Sequence, residues 1–342
     1  MAGSRFAYVR NFELPDPVLP DTHMVIRIDG KGFHKFSKAH EFIKPNDPDA
    51  LELMNQAARH VMKELQGDVT MAFGESDEYS FLLKKSCRLY SRRNHKITTH
   101  VVSLFTSAYV FYWPQYFPEK PLLKPPTFDG RLVPYPTEKH VTDYFAWRQA
   151  DTHINNMYNT VFWALVQQGG QTESEATETL KGTLSSEKQE IMFSRFAINY
   201  DRLPAIFRRG TTLVWGPEYQ APARSEDDTA ATLASSSNAA HETVEKDKDG
   251  QDGKHDSTKK GEGEAVKPFR TKPRKPKMVL RTLHVDIIGN RFWKEPKSSQ
   301  GRSREQLVET SGKSGGNVQG DGPWFDEDRL QCDGMGLRVF LD

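Results

Sequence analysis

The chain has 342 residues and only two cysteines, Cys87 and Cys332. They sit in unrelated contexts without CxxC spacing, which argues against a thiolate zinc site and a disulfide framework. A reducing compartment, cytoplasm or nucleus, is the expectation. No run approaches the roughly 18 apolar residues needed to cross a bilayer, so no membrane association is expected. The first residues, Met1-Ala2-Gly3-Ser4-Arg5-Phe6, lack an apolar signal core, and secretion is not expected. A strong charge of either sign is missing too: 47 basic and 46 acidic residues leave a net charge of +1. Any attraction to a polyanion must therefore come from local clusters. No internal repeat is visible.

Large apolar side chains are scarce between about Gln220 and Lys277, where Ser, Ala, Gly, Glu, Asp and Lys dominate. Such a segment cannot bury enough surface to offset the entropy of ordering it. The expected organisation is a catalytic α+β domain over 1–137 and a mainly helical region over 138–219. A disordered insert over 220–277, a returning strand segment over 278–296 and a mostly loose tail over 297–342 complete it. The basic end of the insert, Lys267 to Lys277, is read as a solvated linker, with an RNA-touching arm or an import signal as the sharper readings.

The first half has a legible element order. Met24-Val25-Ile26-Arg27-Ile28 is β-rich and stops at Asp29-Gly30. Asp47-Pro48-Asp49 starts a helix, with Asp as N-cap, Pro at N1 and an acid in the first turn. Leu51, Met54, Ala58, Val61 and Leu65 then form one apolar face. Val69–Phe73 and Tyr79–Leu83 flank Gly74-Glu75-Ser76-Asp77-Glu78, a hairpin signal. A second helix carries Ile97, Val101, Leu104, Ala108 and Phe111 and should stop near Pro114. Leu132–Tyr135 is a fourth strand candidate, and Leu283–Ile288 reads as a later one. The order β-α-β-β-α-β predicts a ferredoxin-like sheet.

In that sheet the first strand lies beside the hairpin, so Asp29 and Asp77 come from distant sequence to neighbouring strand ends. Each alone reads more simply as part of a polar turn. Together they can hold two magnesium ions, which activate an attacking oxygen and stabilise a leaving one. Magnesium takes few protein ligands, all hard oxygens, and the carbonyl of Gly30 is a further candidate. Backbone N–H groups over Gly30-Lys31-Gly32-Phe33-His34 can cradle a triphosphate, and Lys31 adds positive charge.

Other polar groups are weaker signals. Arg92, Arg93 and Lys96, and more weakly Lys44 and Arg131, are candidates for phosphate of a second nucleotide or of RNA; a solvated basic face is the competing reading. His153, Asn155, Asn156 and Asn159 lie close together on one helix beside Trp147, Tyr158, Phe162 and Trp163. Asn is poor in helix interiors. The cluster is either a buried hydrogen-bond network or a reader of unpaired RNA bases. Ser186–Gln189 fits a capping box, which places Lys188 in the first turn of a helix, where a lysine opposes the helix dipole.

Several long stretches, in order, resemble the histidine-tRNA guanylyltransferase family of 3′-to-5′ polymerases. They are Arg27–His34, Phe73–Phe81, His153–Asn159, Thr183–Lys188 and His284–Gly289. The resemblance implies a polymerase-palm catalytic domain followed by a helical region. It also implies ATP-dependent activation of the tRNA 5′-phosphate and attack by the 3′-hydroxyl of GTP. Carried over, Asp29, Gly30 and Asp77 would bind two Mg2+ ions, and Asp29–His34 with Ser76 and Asp77 would bind the GTP triphosphate. The His153–Asn159 helix, with Lys188, would read the tRNA anticodon, and the assembly would be a homotetramer. Met157 stands where leucine is usual, and Glu75 where glutamine is common. Another palm-type nucleotidyltransferase or cyclase, and a non-catalytic RNA-binding module, remain as alternatives.

Overall fold

Strand β1, His23–Gly30, sends alternate side chains to opposite faces of a sheet. Met24, Ile26 and Ile28 enter one hydrophobic core and Val25 enters another. In the computed structural model, which describes residues 4–218, 277–294, 332 and 334–341, β1 is followed by α1 (Phe33–Ala39), α2 (Pro48–Glu64), β2 (Val69–Glu75), β3 (Glu78–Leu83), α3 (Asn94–Tyr116) and β4 (Phe128–Tyr135). The chain is α+β, and its first four strands pair in the antiparallel order β4-β1-β3-β2. This is the sheet of the expected βαββαβ frame.

Asp47 caps α2, its carboxylate accepting from the N–H groups of Asp49 and Ala50 at 3.0 and 3.1 Å. Helix α3 ends at Tyr116, two residues past Pro114 and so near the expected stop, with the proline inside its last turn. Its buried face is Ile97, Val101, Phe105, Ala108, Tyr109 and Trp113, and the expected Phe111 is 74% exposed. The helix is aromatic on several sides, so spacing alone offers two faces.

The region after β4 is α4 (Glu138–Gln167), α5 (Glu173–Leu180), α6 (Ser185–Phe196) and α7 (Ala205–Arg209), and then β5 (Thr211–Pro217). β5 pairs with β2, from Met71↔Val214 to Gly74↔Thr211. The 138–219 region therefore ends by adding a strand to the catalytic sheet, and β6 (Met278–Leu283) is the outermost strand beyond it.

The strand expected at 283–288 falls earlier, at 278–283. His284 to Ile287 form no ladder. The Gln149 side chain replaces one, donating to Val285 O at 2.9 Å and accepting from Ile287 N at 2.7 Å. Glu218 N donates to Lys277 O at 2.7 Å. The expected disorder over 220–277 lies outside the described residues, except for Lys277.

Of the tail expected to be mostly loose over 297–342, the described residues 332 and 334–341 contribute to the core, and the rest lies outside the described residues. After α8 (Asn290–Trp293), Cys332, Met335 and Val339 are buried with Val25, Phe145 and Phe292, and the Phe340 ring stacks on Trp293 at 5.9 Å. Removing residues 332–342 should cost at least about 3 kcal/mol, from burial worth about 1.5–3 kcal/mol for a large apolar side chain. A thermal melt of the truncated chain checks this.

Candidate active site

The sheet register places four carboxylates in one rung. Asp29 stands opposite Asp129 on one side and Glu78 on the other, and Glu78 stands opposite Glu75. Directly opposed residues share a face, and like charges there repel. The next rung on the same face, two residues back along β1, holds Arg131, Arg27 and Ser80. Asp77 joins the acids from the β2–β3 turn, where Ser76 takes a left-handed φ of 47°. Gly30 N donates to Asp77 O at 3.0 Å, tying the end of β1 to that turn. A side chain at Gly30 would meet the Asp77 carboxylate at 2.8 Å and the Phe33 ring closer still, so only glycine fits.

Burial, and then the charge of Asp29, push the Asp77 carboxyl up to about 6. Burial pushes Glu75 up to about 7, with a Thr152 hydrogen bond opposing and Glu78 reinforcing. Glu78 is raised by burial against the pull of Arg148 and Arg27. Arg148 from α4 forks between Glu78, at 3.0 and 3.1 Å, and Asp151, at 2.6 Å. Among the described ion pairs Glu78 and Asp129 have arginine partners, whereas Asp29 and Asp77 have none. Two unneutralised, mutually repelling carboxylates beside the carbonyl end of β1 fit a hard divalent cation completed by phosphate and water. Among the described residues no cluster of three or more His, Cys, Asp or Glu forms a self-sufficient metal cage.

Two clefts meet at the Ser76-Asp77 turn. One, of 410 Å³, is polar and is walled by Asp29, Glu75, Glu78, Arg148, Asp151 and Asn155. The other, of 530 Å³, is more aromatic and takes in His34, Lys44, Tyr109, Tyr158, Phe162 and Trp163. Lys44 donates to Ser37 Oγ at 3.0 Å. Burial lowers its pKa, while Asp47 and Asp77 counteract this. A half-buried ammonium facing Asp77 suits a triphosphate. Lys44→Ala should raise the KM for nucleotide about tenfold or more, one charge-assisted hydrogen bond being worth about 1.5–3 kcal/mol; steady-state titration of nucleotide checks it.

The triphosphate loop is narrower than expected. Gly30 N is bonded to Asp77 O, and Lys31 N to Thr127 O at 2.8 Å, so neither N–H is free. What remains is the first turn of α1 at Gly32, Phe33 and His34, whose N–H groups lack intrahelical partners. The Phe33 side chain is buried against Phe36 and Phe128 at 4.9 and 5.0 Å, and only its backbone can serve. Lys31 and His34 are exposed.

Arg92 is not a phosphate ligand. It is buried, and its guanidinium donates to the carbonyls of Val18, Leu19, Thr22, Lys85 and Cys87. Arg93 pairs with Glu13 at 2.7 Å and Asp16 at 3.6 Å. The Lys96 ammonium lies 4.5 Å over the Tyr90 ring, and Arg131 pairs with Asp129 at 3.0 Å. None of these four lines either cleft.

The polar helix divides. Asn156 is internal, accepting from Asn46 at 2.9 Å and donating to Tyr200 Oη at 3.2 Å, so the buried-network reading holds there. Asn155 and Asn159 are exposed and line the polar cleft, Asn159 lining both. His153 is exposed on one side and packs its ring 5.2 Å from Tyr200; burial, and then Arg208, lower its pKa. The cap of α6 is Leu184, whose N–H is bound by Glu187 at 2.6 Å, instead of Ser186 with Gln189. Lys188 bonds Thr183 O and Oγ1 at 2.6 and 2.8 Å and so closes the preceding turn. Sequence reasoning missed Glu78 and Arg148. Glu78 was signalled by adjacency to Asp77; Arg148 comes from a helix that only the fold brings over the sheet.

Acids paired at the end of an antiparallel sheet, between two clefts, define a palm-type nucleotidyltransferase. The family described as tRNAHis guanylyltransferase matches residues 6–136, and its C-terminal domain matches residues 139–289. The chain is 47% identical over 293 residues to the tRNA(His) guanylyltransferase of Schizosaccharomyces pombe, covering 86% of this chain and 96% of that one. It is 46% identical over 295 residues to a probable tRNA(His) guanylyltransferase of Bos taurus, covering 86% and 87%. The crystal structure of the Saccharomyces cerevisiae enzyme superposes with a TM-score of 0.60 at 47% identity, over 66% of this chain and 99% of that one. A bacterial Thg1-like protein solved with ATP shares the fold, with a TM-score of 0.52 at 23% identity, over 62% and 87%. The chain belongs to the tRNAHis guanylyltransferase family.

Proposed function

We propose that this enzyme adds a guanylate to the 5′ end of histidine tRNA. The 5′-monophosphate attacks the α-phosphorus of ATP, forming a 5′-adenylylated tRNA and releasing pyrophosphate. The 3′-hydroxyl of GTP then attacks the activated phosphorus, forming the new phosphodiester and expelling AMP. Water finally removes pyrophosphate from the added nucleotide. The observation that carries this reading is the meeting of Asp29 and Asp77, without ion-pair partners, at the junction of two nucleotide-sized clefts.

Asp29, Asp77 and the carbonyl of Gly30 are the groups to hold two Mg2+ ions. Bound there, magnesium would neutralise phosphate charge and favour an ionised attacking oxygen. Lys44, the first turn of α1 and Ser76 orient the triphosphate, and the aromatic wall at Tyr158, Phe162 and Trp163 receives its base. Arg148 fixes Glu78 beside Asp29. His153, Asn155 and Asn159 present polar edges for unpaired anticodon bases. A tRNA that engages both its anticodon and its 5′ end needs more than one subunit, which supports a homotetramer; sedimentation measures that. The low cysteine count, two in 342 residues, supports residence in the cytoplasm or nucleus.

Purified protein incubated with 5′-monophosphorylated histidine tRNA, ATP, magnesium and labelled GTP should place label at the tRNA 5′ end. Absence of label with all four present would refute the reading.

A further inference from the structure

Beside the acid rung the sheet has an uncovered margin. β4 is an edge strand, and its side chains on the α4 face, Asp129, Arg131, Val133 and Tyr135, are exposed or half-exposed. The wall of this margin is Trp147 of α4. Its indole is 50% exposed, which is unusual for a side chain of that size beside a catalytic sheet. The ring is held from within: the Arg148 guanidinium stacks 3.6 Å from its centre, and the Tyr144 ring meets it edge-on at 6.0 Å. Arg148 is itself fixed by Glu78 and Asp151, so the indole is pre-set at little entropic cost. Arg27 lies 6.0 Å from the ring, two residues before Asp29 on the same face, and Arg131 stands opposite Arg27.

The margin is open where the two clefts are walled, and it belongs to neither. A shallow strip with an exposed π-face and an arginine at its floor suits a polymer end better than a free nucleotide. Every base has a π-face, and aromatic stacking on unpaired bases is the common way proteins hold single-stranded RNA. A second copy of the chain would find here a floor whose charges alternate and an apolar area of essentially one indole.

We propose that Trp147 is the stacking platform for a 5′-terminal base of the RNA substrate, with Arg131 meeting its backbone and the strip leading the 5′-phosphate to Asp29. This rests on the guanylyltransferase reading and adds to it where the acceptor end lies. Trp147 is a binding residue in this account, and the chemistry stays with the carboxylates.

The test compares the full-length wild type with Trp147→Ala and Trp147→Phe, using 5′-monophosphorylated histidine tRNA, ATP, magnesium and labelled GTP. Trp147→Ala should raise the KM for tRNA about tenfold or more, with the KM for GTP and for ATP within about twofold of wild type. Trp147→Phe should keep most of the tRNA affinity. A tRNA carrying 2-aminopurine as its first base should be quenched on binding wild type and Trp147→Phe but not Trp147→Ala. Equal tRNA KM for wild type and Trp147→Ala overturns the proposal, as does unchanged quenching or a defect confined to the nucleotide KM. Label transfer by wild type in the same assay reports on the guanylyltransferase reading separately.

Discussion

Asp77→Asn should lose guanylate addition by at least about a thousandfold, as expected when about 4 kcal/mol of charge stabilisation is removed from a phosphoryl-transfer site. The same change should stabilise the metal-free protein. The Asp77 carboxyl is raised to about 6 by burial and by Asp29, above its unfolded value. Above about pH 6 the folded state therefore carries an anion that the unfolded state holds more easily, and the group subtracts stability. That penalty fades as pH falls from about 6 to about 4, where the carboxyl becomes protonated in both states. Asp77→Asn should thus raise the melting temperature at pH 7.5, by about 1–2 kcal/mol of stability, with the gain shrinking towards pH 4. Magnesium should raise the wild-type melting temperature at pH 7.5, do so less at pH 5, and do little for the variant. A variant that is less active and also less stable would show that Asp77 serves the turn and not a cation.

Arg92→Ala should behave in the opposite way, losing fold and not chemistry. Five carbonyls from two stretches of chain, 18–22 and 85–87, converge on one buried guanidinium. Hydrogen bonds to a charged group contribute about 1.5–3 kcal/mol each, and buried carbonyls left without donors add a desolvation cost. A loss of at least about 3–5 kcal/mol is expected, read as a large fall in denaturation midpoint. At a temperature where the variant is still folded, its KM for nucleotide and for tRNA should match wild type. Arg92→Lys should recover little, because an ammonium cannot present the same fork. A selective rise in nucleotide KM with stability intact would restore Arg92 as a phosphate ligand.

The contrast between these two residues shows what the sequence carried. Asp29 and Asp77 were legible because strand order is readable from two-residue alternation and turn residues, and strand order places strand ends. The hairpin, the cap at Asp47 and the βαββαβ frame followed from local chemistry. Arg92 was illegible because a basic residue between a hairpin and a helix looks the same whether it faces solvent or its own backbone. Its partners Val18, Leu19 and Thr22 lie some seventy positions earlier. Asn156 and Lys188 share that ambiguity: amides and ammonium groups bond to whatever the fold brings near. β5 escaped notice because it follows helices and pairs with a strand about 140 positions earlier. The tail at 335–340 escaped because six residues without regular periodicity reveal their burial only through contacts with Phe292 and Trp293.

That tail bears on what a cut copy of the protein would expose. The layer containing Val25, Phe145 and Trp293 is closed by Met335, Val339 and Phe340. A copy cleaved ahead of Cys332 would leave one side of the sheet that bears the acids greasy and uncovered, an apolar face that marks it for chaperones and proteases.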